Sequence, residues 1–309
     1  MNWLTITAVA YFLLALEVVL NKFLLSSKRI SHPVIYAFYA GATGLFALVF
    51  LPFGFHWIGF SDILLRFLGG IVFIYGMLAF FSALDKGEAS RVTPVVGAVV
   101  PIIIFFLSMI FLGERLNFQE ISGLLALVTG GLWISYDFGA KKKFQLFSGF
   151  YWSVLAGILL AVSATTFKNF YTHDNFLNVY IWTRMGAFLG VLIFFLVPGW
   201  RKIILSSLSK FKKPGSDNKR SGILFILARS LGGGGSILKE KATSLTLASV
   251  TLVNALVSLE YVFVFALGVL FSFWLPGVFM EKKDWKSVGQ KIIAICIITV
   301  GFMLISENK

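Results

Sequence analysis

The chain has 309 residues, of which 58% are hydrophobic and only 13% are charged, and its mean hydropathy is +0.88. Soluble domains carry about 25% charged residues, so this composition excludes an ordinary soluble protein and indicates a membrane protein. The formal charge of +13 does not point to nucleic acid, because the lysines and arginines cluster between apolar segments, where they orient a membrane protein.

Ten apolar segments follow one another along the chain, each near the roughly 20 residues that cross a bilayer as a helix. The first is not typical of a cleavable signal peptide, because no lysine or arginine precedes it and Glu17 interrupts it. Turn or charge signals separate the segments. The sequence therefore predicts an all-α polytopic membrane protein with ten transmembrane helices. The predicted spans are 3–25, 34–53, 62–84, 92–112, 118–137, 146–169, 176–198, 221–240, 246–273 and 287–305.

The distribution of positive charge predicts an orientation in the membrane. Five lysines or arginines fall inside predicted helices, and the odd-numbered connections carry 18 of the others. The even-numbered connections and the termini carry four: Arg115, Lys239, Lys241 and Lys309. Positive residues favour the cytoplasmic side, so this count places the odd connections in the cytoplasm and both termini outside.

The two halves of the sequence resemble each other. LNKF at 20–23 matches FKNF at 167–170, RFLGG at 66–70 matches RSLGG at 229–233, and 83–101 lines up with 242–260. Each half holds five spans, an odd number, so the second half must enter the membrane inverted. This predicts two five-helix repeats, 1–140 and 144–306. Inverted repeats are a transporter architecture with the substrate site near mid-membrane.

A run of four glycines lies in the eighth predicted span, in the stretch ARSLGGGGSILK at 228–239. The phosphate-binding pattern G-x-x-x-x-G-K-[ST] is absent. One interpretation is close helix packing, which small residues allow. The other is a locally unwound helix whose backbone, at Gly233 and Gly234, faces a polar cavity.

The first half resembles the EamA-type transporters of the drug/metabolite transporter superfamily. The resemblance rests on ALDKGEAS at 83–90, on Pro101, on the corner Gly113-Glu114-Arg115, and on Gly123 and Gly130. It implies a metabolite carrier that works by alternating access, with the first four helices of each repeat lining a central cavity. It also implies cytoplasmic termini, opposite to the charge count. The second half departs from the pattern, with Glu260 where the first repeat has Pro101, and with the longer FSFWLPGVFMEKKDW at 271–285.

Ionisable residues deep in the predicted helices are the candidate site. Each costs about 2.5–3.5 kcal/mol to insert, so it should face a cavity or a partner. We expect them to line the transport cavity, with the arginines recognising an anionic or zwitterionic substrate through their two-pronged donor geometry. The rival interpretation is a pair of structural ion pairs, each joining one glutamate to one arginine. Glu17 or Glu260 could also carry a coupling proton. The candidate substrate-binding residues are Glu17, Arg184, Arg229, Glu260, Asn254, Gly233 and Gly234.

Other polar residues receive plainer interpretations. Lys22, Lys168 and Arg66 lie near helix ends and can extend to the membrane interface. His32, His56 and His173 have no metal-ligand spacing, and no catalytic triad is visible, so the sequence predicts neither an enzyme nor a cofactor. The expected partners are a small-molecule substrate and the lipid bilayer, not nucleic acid. The expected location is the cell (inner or plasma) membrane, as a monomer or homodimer.

Two other functions stay open at this point. One is a membrane-embedded lipid-handling protein or lipid-linked group translocator. The other is a structural membrane scaffold, for which removal of Arg184 or Arg229 would affect only folding.

Overall fold

The computed structural model describes residues 2–25, 32–86, 89–135, 149–210, 218–245, 248–274 and 285–306. The described residues form helices and no β-strand. The helices are α1 (Trp3–Leu25), α2 (Pro33–Ala42), α3 (Phe60–Lys86), α4 (Ala89–Phe111), α5 (Phe118–Ser135), α6 (Phe150–His173), α7 (Phe176–Ile193), α8 (Pro198–Lys210), α9 (Asn218–Ser244), α10 (Val250–Ala255), α11 (Val257–Trp274) and α12 (Trp285–Ser306). Two 3₁₀ segments, Thr43–Phe53 and Phe194–Leu196, extend α2 and α7.

Six segments are long and apolar enough to cross a membrane, which confirms a multi-pass helical membrane protein. They are Trp3–Leu20, Pro33–Phe53, Phe60–Lys86, Phe150–His173, Phe176–Leu196 and Val250–Gly268. Two shorter apolar helices are Val95–Phe111 and Ile292–Ile305. The full set of ten spans and the inverted repeat stay predictions.

The structure differs from the predicted spans in two places. Helix α8 lies in a stretch that the sequence assigns to a connection, and it begins at Pro198, a residue suited to the first turn of a helix. The ninth predicted span is not one helix, because α10 ends at Ala255 and α11 begins at Val257. Most of the 271–285 stretch lies outside the described residues.

The chain divides into two compact units. The first unit comprises Met1–Arg29, Arg115–Gln145 and Pro214–Lys309. In it, α1 packs against α9 and α11, and α5 packs against α12. Glycines allow the α5–α12 contact: a side chain at Gly130 would lie 2.7 Å from Ile298, and one at Gly301 would lie 3.0 Å from the Gly123 carbonyl.

The second unit comprises Ile30–Glu114 and Leu146–Lys213. In it, α6 packs against α3 and α4, and α3 also packs along α7. The α3–α7 crossing is close because Gly70 lies against the backbone of Thr183, while a side chain at Gly186 would lie 2.5 Å from the Phe67 backbone. In the predicted repeat, α6 corresponds to α1, and its neighbours α3 and α4 correspond to α9 and α11. Helix α6 in the second unit thus has the neighbours equivalent to those of α1 in the first.

Candidate functional site

The candidate site of the first unit begins at the contact between α1 and α9. A Cβ atom at Gly235 would lie 2.9 Å from the Ala10 carbonyl oxygen and 2.9 Å from Leu14, so the two backbones approach closely only because residue 235 is glycine. Small residues commonly allow such approaches between membrane helices. This contact places the polar residues of α1 next to those of α9.

An ion pair joins the same two helices. The Arg229 guanidinium pairs with the Glu17 carboxylate, and the carboxylate also lies against Gly232, one turn further along α9. The Arg229 side chain is 36% exposed and the Glu17 side chain 17%, so the pair is reachable as well as partly desolvated. This is one of the two glutamate–arginine pairs that the sequence allowed, and partial exposure is compatible with a ligand competing for either partner.

The first unit also contains the break between α10 and α11. Ser249 caps α10 by accepting the Leu252 N–H, and the Tyr11 hydroxyl of α1 donates to the Val253 carbonyl at 3.0 Å. Helix ends leave carbonyls without an intrahelical donor, and a hydroxyl from a neighbouring helix can supply one. The break lies within the ninth predicted span, and the Tyr11 hydroxyl supplies a donor to a carbonyl beside it.

Asn254 is the polar side chain of the break. Its amide nitrogen donates to the Val250 carbonyl at 2.9 Å, and its amide oxygen accepts from the Lys239 Nζ of α9 at 3.2 Å. Glu260, on α11, lies within electrostatic reach of Lys239, Glu17 and Tyr11. Together Tyr11, Glu17, Arg229, Lys239, Asn254 and Glu260 form what we call the polar cluster.

Arg184 lies in α7, in the second unit. It is 9% exposed, and its guanidinium carbon lies 4.9 Å from the centre of the Phe73 ring and 5.0 Å from that of Tyr180. Aromatic faces attract cations, so these rings stabilise a buried guanidinium. The structure thus groups four predicted charged or amide residues in the first unit (Glu17, Arg229, Asn254 and Glu260) and surrounds Arg184 with aromatic rings in the second.

Of the two interpretations of the glycine run, local unwinding is wrong, because α9 continues through residues 232–235. Gly232 and Gly235 face α1, which is the packing interpretation. Among the described residues, no atom lies within 4 Å of a Cβ atom built on Gly233, and for Gly234 the one neighbour is Leu13, at 3.9 Å. Packing against the described part of the chain therefore does not require glycine at these two positions.

Sequence reasoning missed two polar contacts. It assigned Lys239 to a connection, although residues 232, 235 and 239 follow the helical spacing that puts side chains on one face. It also expected Arg66 and Lys168 to extend to the interface, whereas both are buried, at 5% and 7% exposure. The Arg66 Nη1 atom instead donates to Asp174 Oδ2 at 2.6 Å.

The polar cluster has side chains that can recognise a polar molecule. The polar cluster offers two carboxylates, two cations, a phenol and an amide. No group of three or more potential metal ligands occurs among the described residues. Such a set can hold a polar molecule by charge-assisted hydrogen bonds.

Comparisons with known proteins concern the fold and the family of the first half of the chain. A family model described as the EamA-like transporter family matches residues 1–136. No curated protein matches the sequence. A solved structure described only as "Crystal structure of protein" superposes with a TM-score of 0.69 at 18% identity, over 98% of this chain and 97% of its own. That likeness concerns the fold. Residues 1–136 are therefore similar to the EamA-like transporter family. The apolar helices described above make the chain a multi-pass membrane protein.

Proposed function

We propose that this protein is a secondary transporter that moves a small zwitterionic or anionic metabolite across the membrane by alternating access. The observation that carries the proposal is the polar cluster, which is built from the helices α1, α9, α10 and α11 and includes the Glu17–Arg229 pair. Ionisable residues within membrane-spanning helices usually mark a substrate or ion pathway.

The packing of the helices supports the same proposal. Helix α1 contacts α9 and α11 in one unit, and α6 contacts α3 and α4 in the other. In the predicted inverted repeat, α1 is equivalent to α6, α9 to α3 and α11 to α4, so the two sets of contacts correspond to each other. A break such as that between α10 and α11 is a common feature of transporter binding sites, since the free backbone groups there need polar partners.

The charge of the cluster favours a zwitterion over a net anion. Glu17 and Glu260 balance Arg229 and Lys239, so the formal charge is zero. A zwitterionic substrate keeps that balance, whereas a net anion leaves one negative charge without a counter-charge in a region of low dielectric constant. Arg184 lies in the second unit, against Phe73 and Tyr180; it is not counted in this balance and is a separate candidate for binding an anionic group. Glu17 and Glu260 are the candidate carriers of a coupling proton.

The experiment is a thermal-unfolding screen of the purified protein against soluble metabolites, since a ligand that binds the folded state raises its melting temperature. We expect zwitterionic metabolites to stabilise the parent. Lys239→Gln should abolish that shift, while its control Lys241→Gln, an exposed lysine two residues along the same helix, should retain it.

A second pair of variants separates binding from folding. Arg229→Gln removes the ion pair with Glu17 and can cost stability, whereas the exchanged pair Glu17→Arg/Arg229→Glu keeps it. We expect the exchanged protein to fold and to lose ligand binding and transport in proteoliposomes. Unchanged transport by the exchanged protein would refute the proposal. A parent that no soluble metabolite stabilises would instead favour the lipid-handling alternative.

A further inference from the structure

Helix α8 is an amphipathic helix that directly follows a membrane-spanning segment. It runs over Pro198–Lys210, after α7 and the 3₁₀ segment Phe194–Leu196. One face is anchored to the second unit: Ile204 is fully buried in a cluster with Val34, Ala37 and Phe194. Trp200 meets the Phe194 ring at 5.3 Å, and the Ser207 hydroxyl lies 3.3 Å from the Tyr39 hydroxyl. The helix is therefore fixed in place.

The other face of α8 combines exposed leucines with cations. Leu205 is 48% exposed and Leu208 39%, and Arg201 shares their face through the i, i+4 and i+7 spacing. Lys202 is exposed beside them. In the described part of the chain, no carboxylate forms an ion pair with Arg201 or Lys202. A fixed helix that presents apolar and basic residues together is typical of the membrane interface.

A groove lies between this face and the end of α7. It has a volume of about 380 Å³ and is lined by Phe195, Leu196, Pro198, Arg201, Lys202 and Leu205. Its apolar wall includes Leu196, which is 78% exposed. The two cations lie at one part of a groove that is otherwise apolar.

We propose that this groove binds an anionic phospholipid, with the phosphate at Arg201 and Lys202 and an acyl chain along Phe195, Leu196 and Leu205. Charge complementarity selects the headgroup, because a guanidinium and an ammonium together favour an anion over a zwitterionic headgroup. The exposed leucines select a lipid over a soluble phosphate, since only an acyl chain covers them. The positive charge count also assigns this connection to the cytoplasmic leaflet, where anionic lipids concentrate.

The test measures lipid binding to the full-length protein, purified in detergent and delipidated, by native mass spectrometry and by thermal unfolding. Phosphatidylglycerol should bind and raise the melting temperature, and phosphatidylcholine should do so far less. The variant Arg201→Gln/Lys202→Gln should bind phosphatidylglycerol about 30-fold more weakly, which corresponds to the usual contribution of two interfacial cations. Both residues are exposed, so this variant should fold.

Three controls show whether lipid binding depends on the position of the two cations, on the acyl chain or on the phosphate alone. Lys141→Gln/Lys142→Gln removes the same charge from another basic stretch and should leave binding unchanged. Leu205→Ser should weaken lipid binding without changing the charge. Glycerol phosphate, which has the anion but no acyl chain, should not stabilise the parent. Equal binding of the two lipids, full binding by Arg201→Gln/Lys202→Gln, or equal stabilisation by glycerol phosphate would each overturn the proposal.

Discussion

At the scale of single residues, Asp174 is the centre of a polar network between α6 and α7. Its carboxylate accepts from Arg66 at 2.6 Å and from the Asn178 amide at 2.7 Å, and lies 3.2 Å from His56 Nε2. Burial alone would raise the pKa of Asp174, but the hydrogen bonds from Arg66, Asn178 and the Asn175 backbone prevail and lower it. The carboxylate therefore stays ionised and compensates the buried Arg66.

We expect Asp174→Asn to lower the free energy of unfolding by about 3 kcal/mol, because it leaves the buried Arg66 without a counter-charge. Since the folded state depresses the pKa of Asp174, its contribution is complete above the ordinary aspartate pKa and is lost as the pH falls through the folded-state value. Unfolding of the detergent-solubilised protein between neutral and acid pH measures this. Asp62→Asn, at an exposed aspartate of α3, is the control, and equal behaviour of the two variants would contradict the prediction.

The sequence predicted some of these residues and not others for a physical reason. Glu17, Arg229 and Glu260 interrupt apolar runs, and the cost of burying a charge marks them without any structure. The Arg66–Asp174 pair joins residues 108 positions apart, so it depends on how α3 packs against α6 and α7. The contact of Lys239 with Asn254 likewise depends on the path of the chain after α9.

At the scale of elements, the glycine run of α9 allows the effect of helix packing on stability to be compared with the effect of helix propensity. Gly235 lies against α1, where a Cβ atom would meet the Ala10 carbonyl at 2.9 Å, while a Cβ atom at Gly233, two residues away, would meet none of the described residues within 4 Å. We expect Gly235→Ala to destabilise the protein by about 1–3 kcal/mol through overpacking. Gly233→Ala should stabilise it by about 0.5–1 kcal/mol, because alanine is the better helix former.

Thermal unfolding of the two variants in one detergent measures this difference, and each serves as the control of the other. A stabilising Gly235→Ala would show that α1 and α9 are not held at the distance described above. A destabilising Gly233→Ala would show that the open side of α9 has a neighbour.

Helix type and most helix positions were predictable, because long apolar runs separated by charged turns define them. Helix α8 was not, since its charged and apolar residues alternate in a short stretch that resembles a connection. The break after Ala255 was not either, because neither proline nor glycine marks it and its stability comes from Tyr11 of another helix.

At the scale of the whole molecule, the connections between the helices of the second unit fall into two groups, one at each end of the helices. One pocket gathers His32 before α2, Lys86 at the end of α3, Trp152 at the start of α6 and Trp200 of α8. These residues flank the first, third, fifth and seventh connections. The network of His56 and Asp174 joins the second and sixth connections instead. Within the second unit, these odd and even connections thus lie at different ends of the helices, as alternating membrane crossings require.

The orientation of these two ends is the last prediction. The odd connections carry most of the positive charge, so we expect them in the cytoplasm. In a Cys296→Ser background, which removes the single cysteine, Ser61→Cys and Ser206→Cys each place one thiol at an exposed position, on the even and odd ends respectively. A membrane-impermeant maleimide added to intact cells should label Ser61→Cys directly and Ser206→Cys only after permeabilisation. The Cys296→Ser parent should stay unlabelled. The reverse result would place both termini in the cytoplasm, as the EamA resemblance implies, and would contradict the prediction from the charge count.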